Sequence, residues 1–162
     1  MTNRTLRAAL ATFEVGSGLG GIWLVLASGL LQFRGGFALR IVWIALMVTY
    51  CAFLAASGFL LARRHPAGVR FSIYAQLLQV PEIITRPFTF VLYTPLSLTV
   101  TVSAKVDVSF VANLGANVQL LFGRTPEVAL LGVNVLALAI VYLLRSRLGH
   151  DSGTADASSV AA

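Results

Sequence analysis

The sequence predicts an α-helical integral membrane protein, built as a bundle of four membrane segments with a β-hairpin between the third and the fourth. Of its 162 residues, 57% are hydrophobic and 11% are charged, whereas soluble proteins have roughly 45–50% apolar and about 25% charged residues. Between Glu14 and Asp107 the only acidic residue is Glu82. This composition is typical of a chain surrounded by lipid, and the length predicts one domain.

The first two segments are the most apolar. A helix needs about 20 residues to cross the roughly 30 Å hydrocarbon core of a bilayer. The sequence predicts such helices at about 9–31 and 39–62, with Gly35–Gly36 as the turn between them. Arg4 and Arg7 before an apolar stretch resemble the start of a signal peptide. The stretch is too long for a cleaved signal, so we expect a retained first segment.

The third and fourth segments are interrupted or delimited by polar residues. The third is predicted at about 69–93, as a helix over 69–85 that is kinked near Pro81 and that either stops short of crossing or continues in irregular form to Tyr93. The fourth is predicted at about 125–144. It begins at Thr125–Glu127, which supplies a cap residue, a proline at the first helical position and an acid in the first turn.

A strand pattern separates these two segments. Apolar and polar residues alternate over 96–110, and 118–122 can return after a turn-like stretch, which predicts a β-hairpin at about 96–122. Open sheet edges cannot face lipid, so this hairpin lies outside the hydrocarbon or pairs with other copies. The membrane domain then covers 1–148, and the polar tail 149–162 is predicted to be disordered.

Basic residues set the predicted orientation. The net charge of +6 would suggest nucleic-acid binding in a soluble protein, but here the basic residues flank apolar segments, so no nucleic acid is expected. Seven of them lie on the side of the termini and five on the other, which predicts a multi-pass protein of the plasma (inner) membrane with both termini in the cytoplasm and the hairpin outside. The seven are Arg4, Arg7, Arg63, Arg64, Arg70, Arg145 and Arg147, and the five are Arg34, Arg40, Arg86, Lys105 and Arg124.

A polar stripe follows one side of the third segment. A charge at the centre of a membrane helix costs at least ~2.5–3.5 kcal/mol, so such a stripe should face protein or water. Three interpretations follow: a structural network that joins helices, a cation or proton path with Glu82 as its charge, and a contact with a partner subunit. The stripe consists of Ser72, Gln76, Gln79, Glu82 and Arg86.

Small residues form a second feature, in the first segment. Gly16–Gly21 matches the G-x-G-x-x-G pattern literally, but the nucleotide fingerprint needs a preceding strand and an acidic residue about 20 positions later. Close helix packing is the better interpretation, because small residues four apart let helix backbones approach in a membrane. The predicted packing residues are Gly16, Ser17, Gly20 and Gly21.

Two isolated polar residues complete the set. Glu14 lies about one turn inside the first segment, at the predicted depth of Arg63, Arg64 and Arg70. We expect an ion pair at the membrane surface there, and the alternative is a functional carboxylate. Asn134, in the last segment, is predicted to form a hydrogen bond between helices.

Catalytic chemistry is poorly represented in the sequence. The only histidines are His65 and His150, and Cys51 is the only cysteine, so we expect no zinc site, no other cofactor and no enzyme activity. The sequence favours a non-catalytic structural, accessory or assembly subunit of a membrane complex. Its expected partners are the lipid bilayer and other membrane subunits or further copies of itself. The alternative is a homo-oligomeric channel or transporter with a cation or proton path around Glu82.

Overall fold

A computed structural model describes residues 3–32, 37–85, 88–93, 96–104, 107–114, 117–122 and 129–148. Arg86 of the polar stripe, the predicted start of the fourth segment at 125–128 and the predicted tail 149–162 lie outside the described residues. The described chain forms four α-helices and one antiparallel sheet.

Two long apolar helices occupy the first two predicted segments. Helix α1 is Asn3–Gln32 and helix α2 is Phe37–Ala62. At about 1.5 Å per residue, each is longer than the roughly 30 Å hydrocarbon core. Within the described residues, their stretches Asn3–Ala27 and Arg40–Ala62 are long and apolar enough to cross a membrane, judged by length and composition.

Helix α3 is shorter than predicted. It runs from Pro66 to Leu77, so the prediction of a helix over 69–85 is wrong beyond Leu77. The start is well defined, because proline fits the first helical position and the Nδ1 of His65 accepts a hydrogen bond from the Ala67 amide at 3.2 Å. The end follows from Pro81, which has no N–H to continue the helix and disfavours helical backbone in the residue before it.

The chain then enters a sheet that is larger than the predicted hairpin. All strand pairs are antiparallel, and the strand order is β4-β3-β6-β1-β2-β5. Two of the six strands, β1 and β2, lie in the region predicted as the third membrane segment. The strands are β1 Pro81–Ile84, β2 Phe88–Tyr93, β3 Leu96–Ser103, β4 Val108–Leu114, β5 Asn117–Phe122 and β6 Leu130–Asn134.

The predicted strand over 96–110 is two strands. Strands β3 and β4 pair with each other, so that Val102 faces Val108 and Val100 faces Phe110. Strand β5, predicted as the returning strand of the hairpin, pairs with β2 instead. Partner residues in this register differ by an even number of positions, so the alternation of apolar and polar residues continues unbroken through the turn. The pattern therefore cannot distinguish one long strand from a hairpin.

The final predicted segment also begins as a strand. Strand β6 ends at Asn134, helix α4 covers Val135–Leu143, and a π-helical turn covers Leu144–Leu148. Helix and turn together rise roughly 21 Å, which is less than a bilayer core. Because α3 and α4 are both too short to cross as helices, a bundle of four spanning helices is not confirmed.

The core lies where α1, α2, α3 and α4 meet. Its buried side chains come from the first half of α1, the end of α2, the start of α3, α4 and the π-helical turn. These contacts bring the last residues of the described chain against the beginning of α1. The core residues are Leu10, Ala11, Leu61, Val69, Ile140, Leu144 and Leu148.

Candidate functional site

A buried carboxyl group joins the first three helices. The Glu14 side chain is 0% exposed. The Ser72 hydroxyl donates to its Oε2 at 2.6 Å, and the Gln76 amide donates to its Oε1 at 3.4 Å. Ser57 Oγ lies 3.1 Å from the same Oε2. We call these four residues the Glu14 cluster.

Ser57 has a second acceptor within reach. Its Oγ is 2.8 Å from the carbonyl oxygen of Leu54, nearer than to Glu14. One hydroxyl carries one proton but can also accept. The Ser57 oxygen can therefore accept a hydrogen bond while its own proton is donated to Leu54 or to Glu14.

Glycines allow the helices to approach closely at this cluster. A Cβ on Gly58 would lie 2.8 Å from the Cβ of Glu14 and 2.9 Å from the carbonyl oxygen of Ala11. A Cβ on Gly68 would lie 2.7 Å from the backbone of Leu60 and Leu61. Only glycine fits at both positions, and this close contact places Glu14 beside residues of α2 and α3.

The predicted ion pair of Glu14 with Arg63, Arg64 or Arg70 is not the arrangement found. The carboxyl group lies on the face of α1 that packs against α2 and α3, where its hydrogen-bond partners are hydroxyl and amide groups. In the sequence, two serines within apolar helices were the indication of these hydrogen-bond partners. Ser57 and Ser72 are both 0% exposed, and buried polar groups need partners.

The predicted packing face of α1 is divided. Ser17 and Gly21 are buried, whereas Gly16 and Gly20 are exposed, with no atom within 4 Å of a Cβ placed on either. Among the described glycines the least room is at Gly18, where a Cβ would lie 2.5 Å from the carbonyl oxygen of Cys51. Packing of Gly16 and Gly20 against a second chain stays a prediction.

The predicted polar stripe is also divided, because its residues lie on different elements. Ser72 and Gln76 belong to α3 and to the Glu14 cluster, and Gln79 is buried in the turn after α3. Glu82 lies on β1, is 8% exposed, and accepts a hydrogen bond from the Thr99 hydroxyl at 2.6 Å. Residues of the predicted stripe therefore contribute to two separate sites, one around the Glu14 carboxyl group and one around the Glu82 carboxyl group. They do not form one continuous helical face.

Asn134 stands between these two sites. Its Oδ1 accepts hydrogen bonds from the amides of Ala137 at 3.3 Å and Leu98 at 3.4 Å, so it caps α4 and ties it to β3. The predicted bond between helices is therefore a bond between a helix and a strand. The Nδ2 of Asn134 is buried without a partner in the described chain. The narrow space that it shares with Gln76 and Gln79 has no room for a water molecule.

The sheet turns its polar face inward. Ser97 and Thr99 of β3 are fully buried. On the other side, which we call the apolar sheet face, the neighbouring strands expose aliphatic and aromatic groups that share one surface in the observed register. These side chains are Leu98, Val102, Val108, Phe110, Leu131 and Val133, and Phe110 is 75% exposed.

The two long helices likewise expose large apolar groups. Trp23 is 72% exposed and Phe37 is 78% exposed, and further leucine, isoleucine and valine side chains of α1 and α2 are uncovered. Contiguous apolar surface of this kind marks contact with lipid or with another protein.

Metal-binding groups do not assemble in the described part of the chain. Among those residues no group of three or more His, Cys, Asp or Glu side chains could hold a metal ion. His65 caps α3, and Cys51 is buried against α1. The chemistry available at the Glu14 cluster and at Glu82 is hydrogen bonding and proton exchange.

Comparison with known proteins adds no relative from which a role can be transferred. No protein-family model matches the sequence, no curated protein matches it, and no solved structure matches the fold.

Proposed function

We propose that this chain is a non-catalytic integral membrane protein that acts as a structural, accessory or assembly subunit of a membrane complex. One observation carries the proposal: apolar side chains are exposed along both long helices and across one sheet face, while the buried side holds Glu14, Glu82 and their hydrogen-bond partners. Lipid and apolar protein surfaces are the surroundings that stabilise this distribution.

The exposure of α2 argues against a soluble core helix. Only 28% of its most apolar stretch is buried by the rest of the chain. In a soluble domain such a helix would be covered on most sides, because apolar surface contributes about 25 cal/mol of stability per Å² removed from water. Cover by a bilayer or by a partner protein would account for the surface that the chain leaves exposed.

The sheet edges support association with protein in addition to lipid. Strands β4 and β5 are the two ends of the strand order. An edge strand presents unpaired backbone groups, and in an apolar environment these need partners. Addition of a strand from another subunit would satisfy them.

The polar interior supports a structural role. The Glu14 cluster joins α1, α2 and α3, and the bond between Thr99 and Glu82 joins β3 to β1. Each carboxyl group is directed at groups of its own chain, as expected of a network that fixes the packing of helices and strands.

The mass of the native complex tests this proposal. We expect the protein, extracted in mild detergent, to run with additional chains. A substitution of Phe110→Asp on the apolar sheet face should release them, whereas Ser109→Asp, one residue away on the opposite face, should not. A single unassociated chain under all extraction conditions, with membrane insertion intact, would contradict a subunit role.

A channel or transporter remains the second candidate, favoured by Asn134. Asn134, whose Nδ2 has no partner in the described chain, shares a narrow space with Gln76, which donates to Glu14. It also pairs with Thr99, which donates to Glu82, so an open conformation with water at this position would connect the two carboxyl groups. The absence of room for water in the structure favours the structural role.

Flux through reconstituted vesicles separates the two candidates. For a conduction path, Glu82→Gln should abolish ion or proton flux while the assembly keeps its mass, because the charge itself is needed. For a structural network the unmodified protein should carry no flux, and Glu82→Gln should be mild because the amide still accepts a hydrogen bond from Thr99.

A further inference from the structure

An open groove lies between the beginning of α1 and the end of α2. Its volume is about 890 Å³. Because the two helices are antiparallel, the first turns of α1 and the residues that follow α2 meet at this end of the molecule. Four arginines line the groove: Arg4, Arg7, Arg63 and Arg64.

The rest of the groove is apolar. Val15, Gly16 and Phe59 line it farther along the helices. The Arg63 guanidinium lies over the Phe59 ring, with its central carbon 4.2 Å from the ring centroid. This cation–π contact holds a positive charge where the arginine-rich part of the groove meets the apolar part.

The backbone ends α2 at the arginine pair. Arg64 has a φ of 58°, a left-handed conformation that is uncommon for residues other than glycine. This conformation ends the helix, and the amides of Arg64 and His65 donate to the carbonyl oxygens of Leu61 and Leu60 at 3.2 and 3.0 Å. Arg63 and Arg64 therefore lie at the end of α2, where both line the groove.

We propose that this groove binds an anionic phospholipid, with the phosphate headgroup among the four arginines and an acyl chain along Val15, Gly16 and Phe59. Guanidinium groups bind phosphate through paired, charge-assisted hydrogen bonds. Basic pockets between membrane helices on the cytoplasmic side are suited to anionic headgroups. An apolar extension favours a lipid over free phosphate, which has no group to place there.

The carboxyl group nearest in sequence does not neutralise the site. Glu14 belongs to α1, but it faces Ser57, Ser72 and Gln76 on the side toward α3 and is fully buried. The groove is lined by its sequence neighbours Ala11, Thr12 and Val15 instead. Among the described residues that line the groove, none carries a carboxyl group, so the lining itself is positively charged.

The first test compares arginine variants of equal net charge. The proposal rests on the proposed membrane location, so flotation with vesicles and resistance to carbonate extraction are measured first and report on that location alone.

Lipid retention is then measured by native mass spectrometry in mixtures of phosphatidylglycerol and phosphatidylcholine. We expect preferential retention of phosphatidylglycerol, weakened about tenfold or more by the double variant Arg63→Gln/Arg64→Gln. The matched control, Arg70→Gln/Arg145→Gln, removes two exposed charges outside the groove and should retain the lipid.

The second test uses the apolar half of the groove. A Cβ at Gly16 meets no atom within 4 Å, so Gly16→Leu should fold normally and occupy the place of the acyl chain. Ala9→Leu is the matched control, since Ala9 is also exposed on α1 but does not line the groove. We expect Gly16→Leu alone to weaken phosphatidylglycerol binding.

Three outcomes would overturn the proposal. Equal loss in both arginine double variants would mean that only general surface charge attracts the lipid. Equal retention of phosphatidylcholine would exclude recognition of the anionic headgroup. Binding of inorganic phosphate as tight as that of lipid, and unaffected by Gly16→Leu, would make the groove a phosphate site. Normal membrane insertion together with any of these results rejects the lipid site and leaves the membrane location intact.

Discussion

Glu14 is a residue whose partners are set by the rotation of its helix. Positions three, four and seven residues apart share a face of an α-helix, which puts Glu14 with Ser17, Gly18 and Gly21. All four are buried against the other helices. Arg63 and Arg64 line the groove beside Thr12 and Gly16 instead. Depth alone suggested an ion pair, but the helix face decides which groups Glu14 can reach.

The hydrogen bonds of the Glu14 cluster predict different costs for two substitutions. In Glu14→Gln the oxygen can still accept from Gln76, and the amide can donate to the Ser57 oxygen, whose own proton fits the Leu54 carbonyl, so that only the Ser72 proton loses its acceptor. We therefore expect a smaller change in the free energy of unfolding than for Glu14→Leu. Glu14→Leu leaves the Ser72 hydroxyl and the Gln76 amide buried without an acceptor and should destabilise by about 1–3 kcal/mol.

Denaturant titration of the detergent-solubilised protein provides the measurement. The triple variant Glu14→Leu/Ser72→Ala/Gln76→Leu is a useful control. It removes the two donors that Glu14→Leu leaves without an acceptor, and it should therefore recover part of the lost free energy of unfolding. Equal stability of Glu14→Gln and Glu14→Leu would mean that these hydrogen bonds contribute nothing to the packing of the three helices.

At the scale of single elements, apolar length was sufficient to predict α1 and α2. Predicted at about 9–31 and 39–62, they are Asn3–Gln32 and Phe37–Ala62, because nothing within either stretch interrupts a helix. The third segment could not be predicted in the same way. Its apolar composition is continuous, but Pro81 ends the helical hydrogen bonding and the residues after it pair as strands.

For the polar stripe, burial was predicted more successfully than the arrangement of its residues. Ser72, Gln76, Gln79 and Glu82 are all buried, as a polar stripe facing protein should be. Their division between the Glu14 cluster and the site of Glu82 depends on strand pairing between distant residues. Thr99, which donates to Glu82, lies 17 positions away, and a helical periodicity carries no information about that contact.

Contact between α1 and α2 depends on Gly18. We therefore expect alanine to destabilise the protein at this glycine but not at Gly20. In Gly18→Ala the new Cβ would lie 2.5 Å from the Cys51 carbonyl oxygen and 2.6 Å from the Ala55 amide nitrogen. Backbone atoms cannot move aside without separating the helices, so we expect a loss of about 1–3 kcal/mol. Thermal unfolding would measure it. Gly20→Ala, with nothing within 4 Å, should leave the stability unchanged, and equal melting temperatures would contradict the close contact at Gly18.

For the whole molecule, the exposed Gly20 provides a test of association. It lies on the outer surface of α1, where a second chain can approach closely over a small residue. We expect Gly20→Leu to lower the mass of the native assembly while the unfolding of the chain itself is unchanged, since the leucine meets nothing within the chain. An unaltered mass would exclude this surface of α1 from any interface between chains.

The sheet gives the two short helices a way to reach across a bilayer. Strand β6 runs directly into α4, and together with the π-helical turn they extend roughly 35 Å if strand and helix continue in line. Leu148 packs with Leu10 and Leu61, near the arginine groove. Leu130, at the far end of β6, pairs with Ser103. We therefore expect Ser103 on the side of the membrane opposite the arginines.

Cysteine labelling decides this orientation. In a Cys51→Ala background, Arg64→Cys should react with a membrane-impermeant maleimide only from the cytoplasmic side, because the basic residues at that end favour the cytoplasm. Ser103→Cys should react only from the outside, because the combined strand and helix length carries it past a core of roughly 30 Å. The same pair measured in detergent shows whether both thiols are reactive at all. Labelling of both positions from the cytoplasmic side would mean that α1 and α2 alone cross the bilayer and that the sheet lies on the cytoplasmic side. That result would contradict the orientation predicted both by the basic residues and by the lengths of β6 and α4.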